Sequence, residues 1–501
     1  MGEEKFTEKL VRIGKYPIRV VAEAPKPIAL TAIAGPAIIE LGLALGSGET
    51  IIWPTLSAAY GIILVWGAFL GLLIQTVWMQ EMSRWTIVSG EHHIQGSGRV
   101  VGMAFATWLF LFLGYVAFIW PGWMTGGASA FQKLVGNWPS GKAGLLFWTY
   151  FWAIIVLAAV LLSPVARKAV EYIETGTLIL AWIIIIATVV TGTSLSDWGA
   201  ILKQMLTGWG QRPEGLDYWT FAASIAFVGA GGLANVWYTF WLRDAGFGMG
   251  KYVGTIPGIT GKPTAIDVYG AIPEDSEENA SRLRAWNRNN QKIIWLVFFL
   301  GNLITVLMFI AISYALLHKT GLIEGMTVKE IRGQILQLTS DAIAKYTPLG
   351  TIGGKLYLLA VWLILFNTQV ALMEGLVRQA ADTLYITYER VREFVKRDIR
   401  IWYAYWWIGI IIVEFILVAL SVLGGVSYGD LVVFGAVMSL LAMVISPLLV
   451  LYINTRLIGQ LPPKVRDAVK PHPAWNILMV VAFLFYLTFF AIAVAARLGL
   501  L

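Results

Sequence analysis

The chain has 501 residues, of which 58% are hydrophobic and only 13% charged. Soluble domains carry about a quarter charged residues, so a soluble enzyme is excluded, and the 13% aromatic content excludes a disordered chain. What remains is a polytopic α-helical protein of the lipid bilayer. Its net charge of +7 then reflects cytoplasmic Lys and Arg and requires no nucleic-acid partner.

In chain order, residues 1–27 read as a cytoplasmic N-terminal segment, charged and helical in pattern over 3–19. Eleven apolar runs follow, at 28–60, 61–82, 100–132, 143–163, 170–193, 217–243, 291–317, 354–380, 401–423, 429–453 and 474–497. Their length and lack of strict alternation exclude a membrane β-barrel. Lys and Arg gather in the N-terminal segment, in 245–291 and between the eighth and ninth runs. That bias places the N-terminus inside and the C-terminus outside, and the expected location is a prokaryotic plasma membrane. The runs divide into a five-helix repeat at 28–193, a second at 217–453, and an eleventh helix with the C-terminus at 474–501. Two long loops, 245–291 and 319–353, interrupt the second repeat and read as solvated caps. Within the latter, 327–346 is helical in pattern.

The first run is too long for one helix. As a continuous helix, 28–60 would reach roughly 50 Å, against a core of about 30 Å. Its middle is Leu45-Gly46-Ser47-Gly48-Glu49, and each Gly costs a helix about 1 kcal/mol. The sixth run carries Val228-Gly229-Ala230-Gly231-Gly232, 183 residues further on. Such stretches also serve close helix packing. Two of them at matching places in two repeats point to broken helices of an inverted-repeat transporter, whose freed carbonyls and N–H groups form the site.

Glu49 is the sharpest candidate, because a carboxylate at mid-bilayer depth is costly unless paired, hydrated or metal-bound. Ser47, Gly46, Gly48, Ala230, Gly231, Leu233 and Asn235 surround it in the two breaks. Glu40, nine residues earlier, is read either as a coupling residue or as packing. Asn367-Thr368-Gln369 is a polar triplet in the eighth run; Asn367 and Gln369 serve as site residues or as helix-interface amides. Glu374 and Arg378, at i and i+4, read as a structural pair. Cys is absent. All four His fall outside mid-depth, with His92 and His93 in a solvated loop, His318 at a span end and His472 in a loop.

Gly35-Pro36, Ser57-Ala58-Ala59-Tyr60-Gly61 and Gly71-Leu72-Leu73-Ile74-Gln75 resemble the first two spans of Nramp-type divalent metal transporters. Ile445-Ser446-Pro447-Leu448-Leu449 with Asn454-Thr455-Arg456 resembles the tenth span of that family. The resemblance implies an all-α LeuT-type fold: five plus five inverted spans, helices 1 and 6 broken, and an eleventh helix. It also implies that the eighth span lines an ion site. The family's metal-binding Asp-Pro-Gly-Asn corresponds to Gly46-Ser47-Gly48-Glu49, and its Met-Pro-His to Leu233-Ala234-Asn235. The thioether that favours softer metals is therefore missing. The acidic residues of the family's third span have no counterpart between Gly102 and Gln132.

Three readings follow. In the first, the chain is a secondary transporter of a hard divalent cation such as Mg²⁺ rather than Mn²⁺ or Fe²⁺. Glu49 and Asn235 are then metal ligands and Glu40 a coupling residue. In the second, Gly-Ser-Gly resembles the first span of amino-acid/polyamine-type transporters. Glu49 then binds an amino group under Trp53, Trp237 and Tyr238. The third is a non-transporting receptor on the same fold. No cofactor motif is present; Gly246-Phe247-Gly248-Met249-Gly250 lacks the Lys-Ser/Thr of a phosphate loop. A divalent or monovalent metal ion enters only as substrate or coupling ion. The oligomeric state is unspecified.

Overall fold

The computed structural model describes residues 9–28, 34–162, 166–257, 260–262 and 265–501. Parts of the N-terminal segment, of the predicted first and fourth spans and of the 245–291 loop lie outside these. Helices occupy all eleven predicted positions. Among the described residues, eight are long and apolar enough to cross a membrane: Met103–Leu134, Gly141–Leu161, Val170–Gly192, Glu277–His318, Gly350–Thr387, Ile399–Gly424, Tyr428–Gln460 and Pro473–Arg497. The other three have physical reasons to fall short. Spans 1 and 6 are broken, and span 2, Val65–Ser89, carries Gln75, Gln80, Glu81 and Arg84 inside the bundle. The chain is an integral membrane protein, and each five-span unit opens on a broken helix.

Span 8 is the axis. It packs against spans 3, 5 and 9, against the first half-helix Gly35–Ala44, and against the loop helix Val328–Tyr346. That loop helix begins where the sequence indicated, with Thr327 as N-cap and Glu330 closing the capping box. Span 3 is interrupted at residues 119–121, where Pro121 cannot donate to the ladder. The interruption sets Phe118 and Trp123 side by side on the bundle interior.

Of the predicted N-terminal helix, the part within the described residues, 9–19, is not helical. Residues Lys9–Ile13 (β1) and Tyr16–Val21 (β2) pair as an antiparallel hairpin, and β2 pairs in parallel with Ala271–Pro273 (β3) from the 245–291 loop. β-Branched residues at 11, 13, 18, 20 and 21 favour strand over helix. Gly14 takes φ +60° at the turn, where a Cβ would lie 2.8 Å from the Arg99 carbonyl. Arg99 grips the turn. Its guanidinium donates to the carbonyls of Ile13 (2.9 Å), Tyr16 (2.7 Å) and Pro17 (2.9 Å) while paired with Glu91 at 2.6 Å. We call this side of the bundle the hairpin face.

The loop carrying His92 and His93 is not solvated either; both are buried. His92 N-caps the helix His93–Val101 and stacks on Phe240, with centroids 3.9 Å apart. His93 Nε2 lies 2.9 Å from Ser446 Oγ. The short helix tucks beneath spans 6 and 10, which a linear reading of loop polarity cannot anticipate.

The predicted Glu374–Arg378 pair forms, within a larger seam. Arg243 bonds Asp244 (3.0 Å) and Asp382, and Arg378 bonds Glu374 (2.5 Å) and Asp244. Trp241 donates to Glu374 at 2.8 Å and Tyr403 at 3.2 Å. The five charged side chains are inaccessible to solvent and tie span 6 to span 8, with Tyr403 adding span 9. Two cations face three carboxylates, so deleting a cation strands buried charge. Arg378→Met is expected to destabilise the protein by about 3–5 kcal/mol. Thermal unfolding in detergent reads this; an unchanged transition would show that the seam is solvated.

Candidate functional site

The two predicted breaks are formed and face each other. Helix Gly35–Ala44 stops because the Gly46 N–H turns back to the Ala44 carbonyl at 2.7 Å, a tight turn at Leu45 with φ −72° and ψ 59°. The chain resumes at Gly48–Ile52 and continues as Trp53–Tyr60. Span 6 consists of Tyr218–Ala226 and Ala234–Asp244. Between them Gly229, Gly231 and Gly232 take positive φ of 94°, 74° and 46°. The approach is close: a Cβ on Gly48 would fall 1.6 Å from the Phe227 carbonyl, and one on Gly46 2.8 Å from Thr368. Only glycine fits at either place.

A broken helix inside a membrane leaves main-chain groups that must find partners. Gln75 of span 2 supplies them for span 6. Its Nε2 donates to the Ala226 carbonyl at 3.1 Å. Its Oε1 accepts from the Gly231 N–H at 3.1 Å and from Asn235 Nδ2 at 3.3 Å. One side chain thus bridges the end of one half-helix and the start of the next. Glu49 does the same across spans, its Oε1 accepting from the Gly229 N–H at 3.1 Å. Glu49 is therefore not a wetted vestibule residue; it is fully buried.

Leu43, Ala44, Gly46, Ser47, Gly48, Phe118, Trp123, Phe227, Gly229, Ala230, Thr368 and Leu372 enclose a cavity of about 10 Å³. A single water needs roughly 10–15 Å³ by this measure. Ser47 Oγ, of a residue in its wall, has no hydrogen-bond partner, nor do Glu49 Oε2 and Asn235 Oδ1 in the same two breaks. These are oxygen atoms, and among the described residues no group of three or more His, Cys, Asp or Glu could hold a metal. Any ion here would rest on one carboxylate, two neutral side-chain oxygens and main-chain carbonyls.

The structure separates the predicted site residues into groups. Gly46, Ser47, Gly48 and Ala230 line the cavity. Glu49, Gly231 and Asn235 join it through Gly229 and Gln75. Leu233 is buried but packs toward Gly114 of span 3. Asn367 faces Gly42, one turn before the break. Gln369 lines a different cavity of about 20 Å³, walled by Trp123, Trp152, Trp362 and Phe366. Glu40 is buried with neither oxygen partnered. The aromatic lid read from sequence is turned elsewhere. Trp53 donates to the Ser224 carbonyl, Trp237 to Gln379 and Tyr238 to Asn290, at 3.2, 2.6 and 2.7 Å. The aromatic wall is Phe118, Trp123 and Phe227 instead.

Three polar residues of the interior were not singled out from the sequence as site residues: Gln75 of span 2 and Glu174 of span 5 near this centre, and Glu414 of span 9 beside Gln369. Glu174 and Glu414 are fully buried, with both oxygens unpartnered. The signal was available, since each is a polar or ionisable residue within an apolar run.

No protein-family model and no curated protein matches this sequence. Solved structures do. A mutant of the Eremococcus coleocola manganese transporter aligns with TM-score 0.65 and 14% identity, covering 96% of this chain and 91% of that one. MhsT in complex with L-phenylalanine aligns with TM-score 0.52 and 13% identity, over 93% and 97%. A nucleobase-cation-symport-1 family transporter in a closed conformation aligns with TM-score 0.50 and 12% identity, over 95% and 91%. At such identities the likeness establishes the fold.

Gln75→Leu tests the bridge. It orphans the Ala226 carbonyl, the Gly231 N–H and the Asn235 amide, each worth about 1–3 kcal/mol when buried unpaired. A clearly lowered thermal transition is expected in detergent; wild-type stability would mean that other groups satisfy the break.

Proposed function

We propose that the chain is a secondary transporter related to Nramp. It carries one hard divalent cation, Mg²⁺ rather than Mn²⁺ or Fe²⁺, through the cavity between the two breaks. The observation that carries this reading is the cavity itself: room for about one water-sized species, with the unpartnered Ser47 Oγ belonging to its wall and two further unpartnered oxygens, of Glu49 and Asn235, in the same pair of breaks. Oxygen donors suit hard cations. The thioether and imidazole that would favour softer metals are absent from the wall.

The surroundings support alternating access. On the hairpin face the Arg243–Asp244–Arg378 seam closes the bundle. On the opposite face Arg332 binds Thr220 at 2.6 Å and pairs with Asp430 and Asp217. The cavity lies between the two seams, and transport would open them in turn. The hairpin face is assigned to the cytoplasm by the Lys and Arg bias.

The amino-acid reading loses ground on the same observation. An amino acid exceeds the free space, and Trp53, Trp237 and Tyr238 are engaged elsewhere.

Uptake into liposomes tests the proposal, comparing Mg²⁺, Mn²⁺ and labelled amino acids. Mg²⁺ uptake is expected to fall roughly 10–100-fold in Glu49→Ala, the scale of losing a ligand or its support. Strong Mn²⁺ preference, or amino-acid uptake without metal, would overturn the cargo. Uptake untouched by Glu49→Ala would remove Glu49 from the site.

A further inference from the structure

On the hairpin face a separate cavity of about 280 Å³ opens between the hairpin turn, the helix His93–Val101, the start of span 3, residues 268–269 and the end of span 8. Its polar wall is Tyr16, Glu91, Arg99, Tyr269, Tyr388 and Arg392. Glu91 has nothing left to accept with: Arg99, Trp85 Nε1 and the Gly270 N–H take up both its oxygens. Donors remain. Tyr16 Oη accepts from the Met103 N–H at 3.0 Å and Tyr388 Oη from Trp108 Nε1 at 2.7 Å, so each phenol keeps its own proton to give. Tyr269 is exposed and makes no hydrogen bond among the described residues. Arg392 is buried. It spends Nη1 on the carbonyls of Tyr385 (2.6 Å) and Ile386 (2.8 Å), and Nε with one Nη2 proton on Glu389, which leaves one N–H.

The cavity lies at the bilayer boundary. Span 3 begins at Met103 and span 8 ends at Thr387, and both residues belong to the wall. Ala104, on the rim, is exposed and continues into Phe105 and Trp108, which are 61% and 57% exposed. Trp108 turns its N–H to Tyr388, as an interfacial Trp does with its ring in lipid and its polar tip toward water. Beside the wall, the connection 389–397 carries Arg390, Arg392, Lys396 and Arg397 against Glu389 and Glu393. Arg390 and Lys396 are exposed and form no ion pair among the described residues. Lys396 and Arg397 take φ of +52° and +62°, a conformation that favours glycine or asparagine. The chain sets two cations there instead.

We propose that this cavity holds the phosphate of one anionic phospholipid from the leaflet on the hairpin face. The protons of Tyr16, Tyr269 and Tyr388 and the remaining Arg392 N–H are its donors, and a phosphodiester supplies the acceptor oxygens that such a wall lacks. The surplus of Arg and Lys on the connection adds the attraction. Basic pockets at the ends of membrane helices recognise lipid headgroups in this way. The rim decides the source: from Ala104 an acyl chain can pass along Phe105 and Trp108 into the hydrocarbon without crossing water. Bound there, the lipid fastens the hairpin turn and the 245–291 loop to the end of span 8. The cavity shares no wall residue with the one between the breaks, and the inference does not rest on the cargo proposed above.

Native mass spectrometry of the full chain tests the site, with dioleoylphosphatidylglycerol, dioleoylphosphatidylcholine or glycerol phosphate added in detergent. One retained phosphatidylglycerol per chain is expected, bound about tenfold or more tighter than phosphatidylcholine. Tyr269→Phe combined with Tyr388→Phe should weaken it by about tenfold or more, the scale of hydrogen bonds to a charged group. Lys470→Gln, on the same face beyond the helix Pro463–Val469 and outside the wall, should leave it intact. Arg392→Gln also removes the bonds that hold the end of span 8, so the phenylalanine pair, which keeps them, carries the test once size exclusion and melting show that it folds. If that pair does not fold, Arg390→Gln with Lys396→Gln replaces it, with a loss of severalfold expected. The site is overturned by equal retention of the two lipids, by retention that survives the substitutions, or by an equal loss in Lys470→Gln. Glycerol phosphate bound as tightly as the lipid would overturn the membrane source.

Discussion

The hydrocarbon core supplies no hydrogen bonds, and this protein breaks two helices inside it. Every other feature of the centre follows from that constraint. The main-chain groups released at 45–47 and 227–233 must be answered by something other than water. Gln75 answers part of span 6, and Glu49 answers the Gly229 N–H. Gly46 and Gly48 let the breaks approach within van der Waals contact of Thr368 and Phe227. Most of what stays unanswered is oxygen: Ser47 Oγ, Glu49 Oε2, Asn235 Oδ1 and the carboxylate of Glu174, with the Asn367 amide beside them. A cation is the partner such a surplus favours, and the freed carbonyl ends of the half-helices add to it.

The charged residues of the interior fall into two kinds. Arg243, Asp244, Glu374, Arg378 and Asp382 are mutually paired, and Arg84–Glu81 and Arg99–Glu91 repeat the pattern nearer the hairpin. These hold spans in register and fasten the sheet of β1, β2 and β3 to the bundle. Glu40, Glu49, Glu174 and Glu414 are buried without a cationic partner. Paired buried charges give geometry, whereas unpaired ones carry a standing energetic cost that structure alone does not reward. The unpaired set lies along the broken first span and on spans 5 and 9, the surfaces that must move if access alternates.

Much of this was legible in one dimension. Eleven runs, two glycine breaks, Glu49 between them, the Glu374–Arg378 pair and the helix after Thr327 all depend on local composition or helical spacing. They survive folding because neighbours in sequence remain neighbours in space. The failures share the opposite property. The hairpin at 9–21 is extended by β3, some 250 residues away, which pairs with residues 19–21. His92 and His93 are buried because Phe240 and Ser446 close over them. Asn367 and Gln369, two apart on one helix, face Gly42 and a separate aromatic cavity.

The sequence by itself determined the membrane class, the repeat layout, the places where helices break and the lack of soft ligands. All of these depend on hydrophobicity, on helix propensity or on which atoms are present. Tertiary structure alone decided which polar atoms end without partners. A side chain's satisfaction depends on what distant spans bring to it, as Gln75 is brought to Gly231 and Glu174 to Gly42. In a medium without water, that decision is also the one that selects the site.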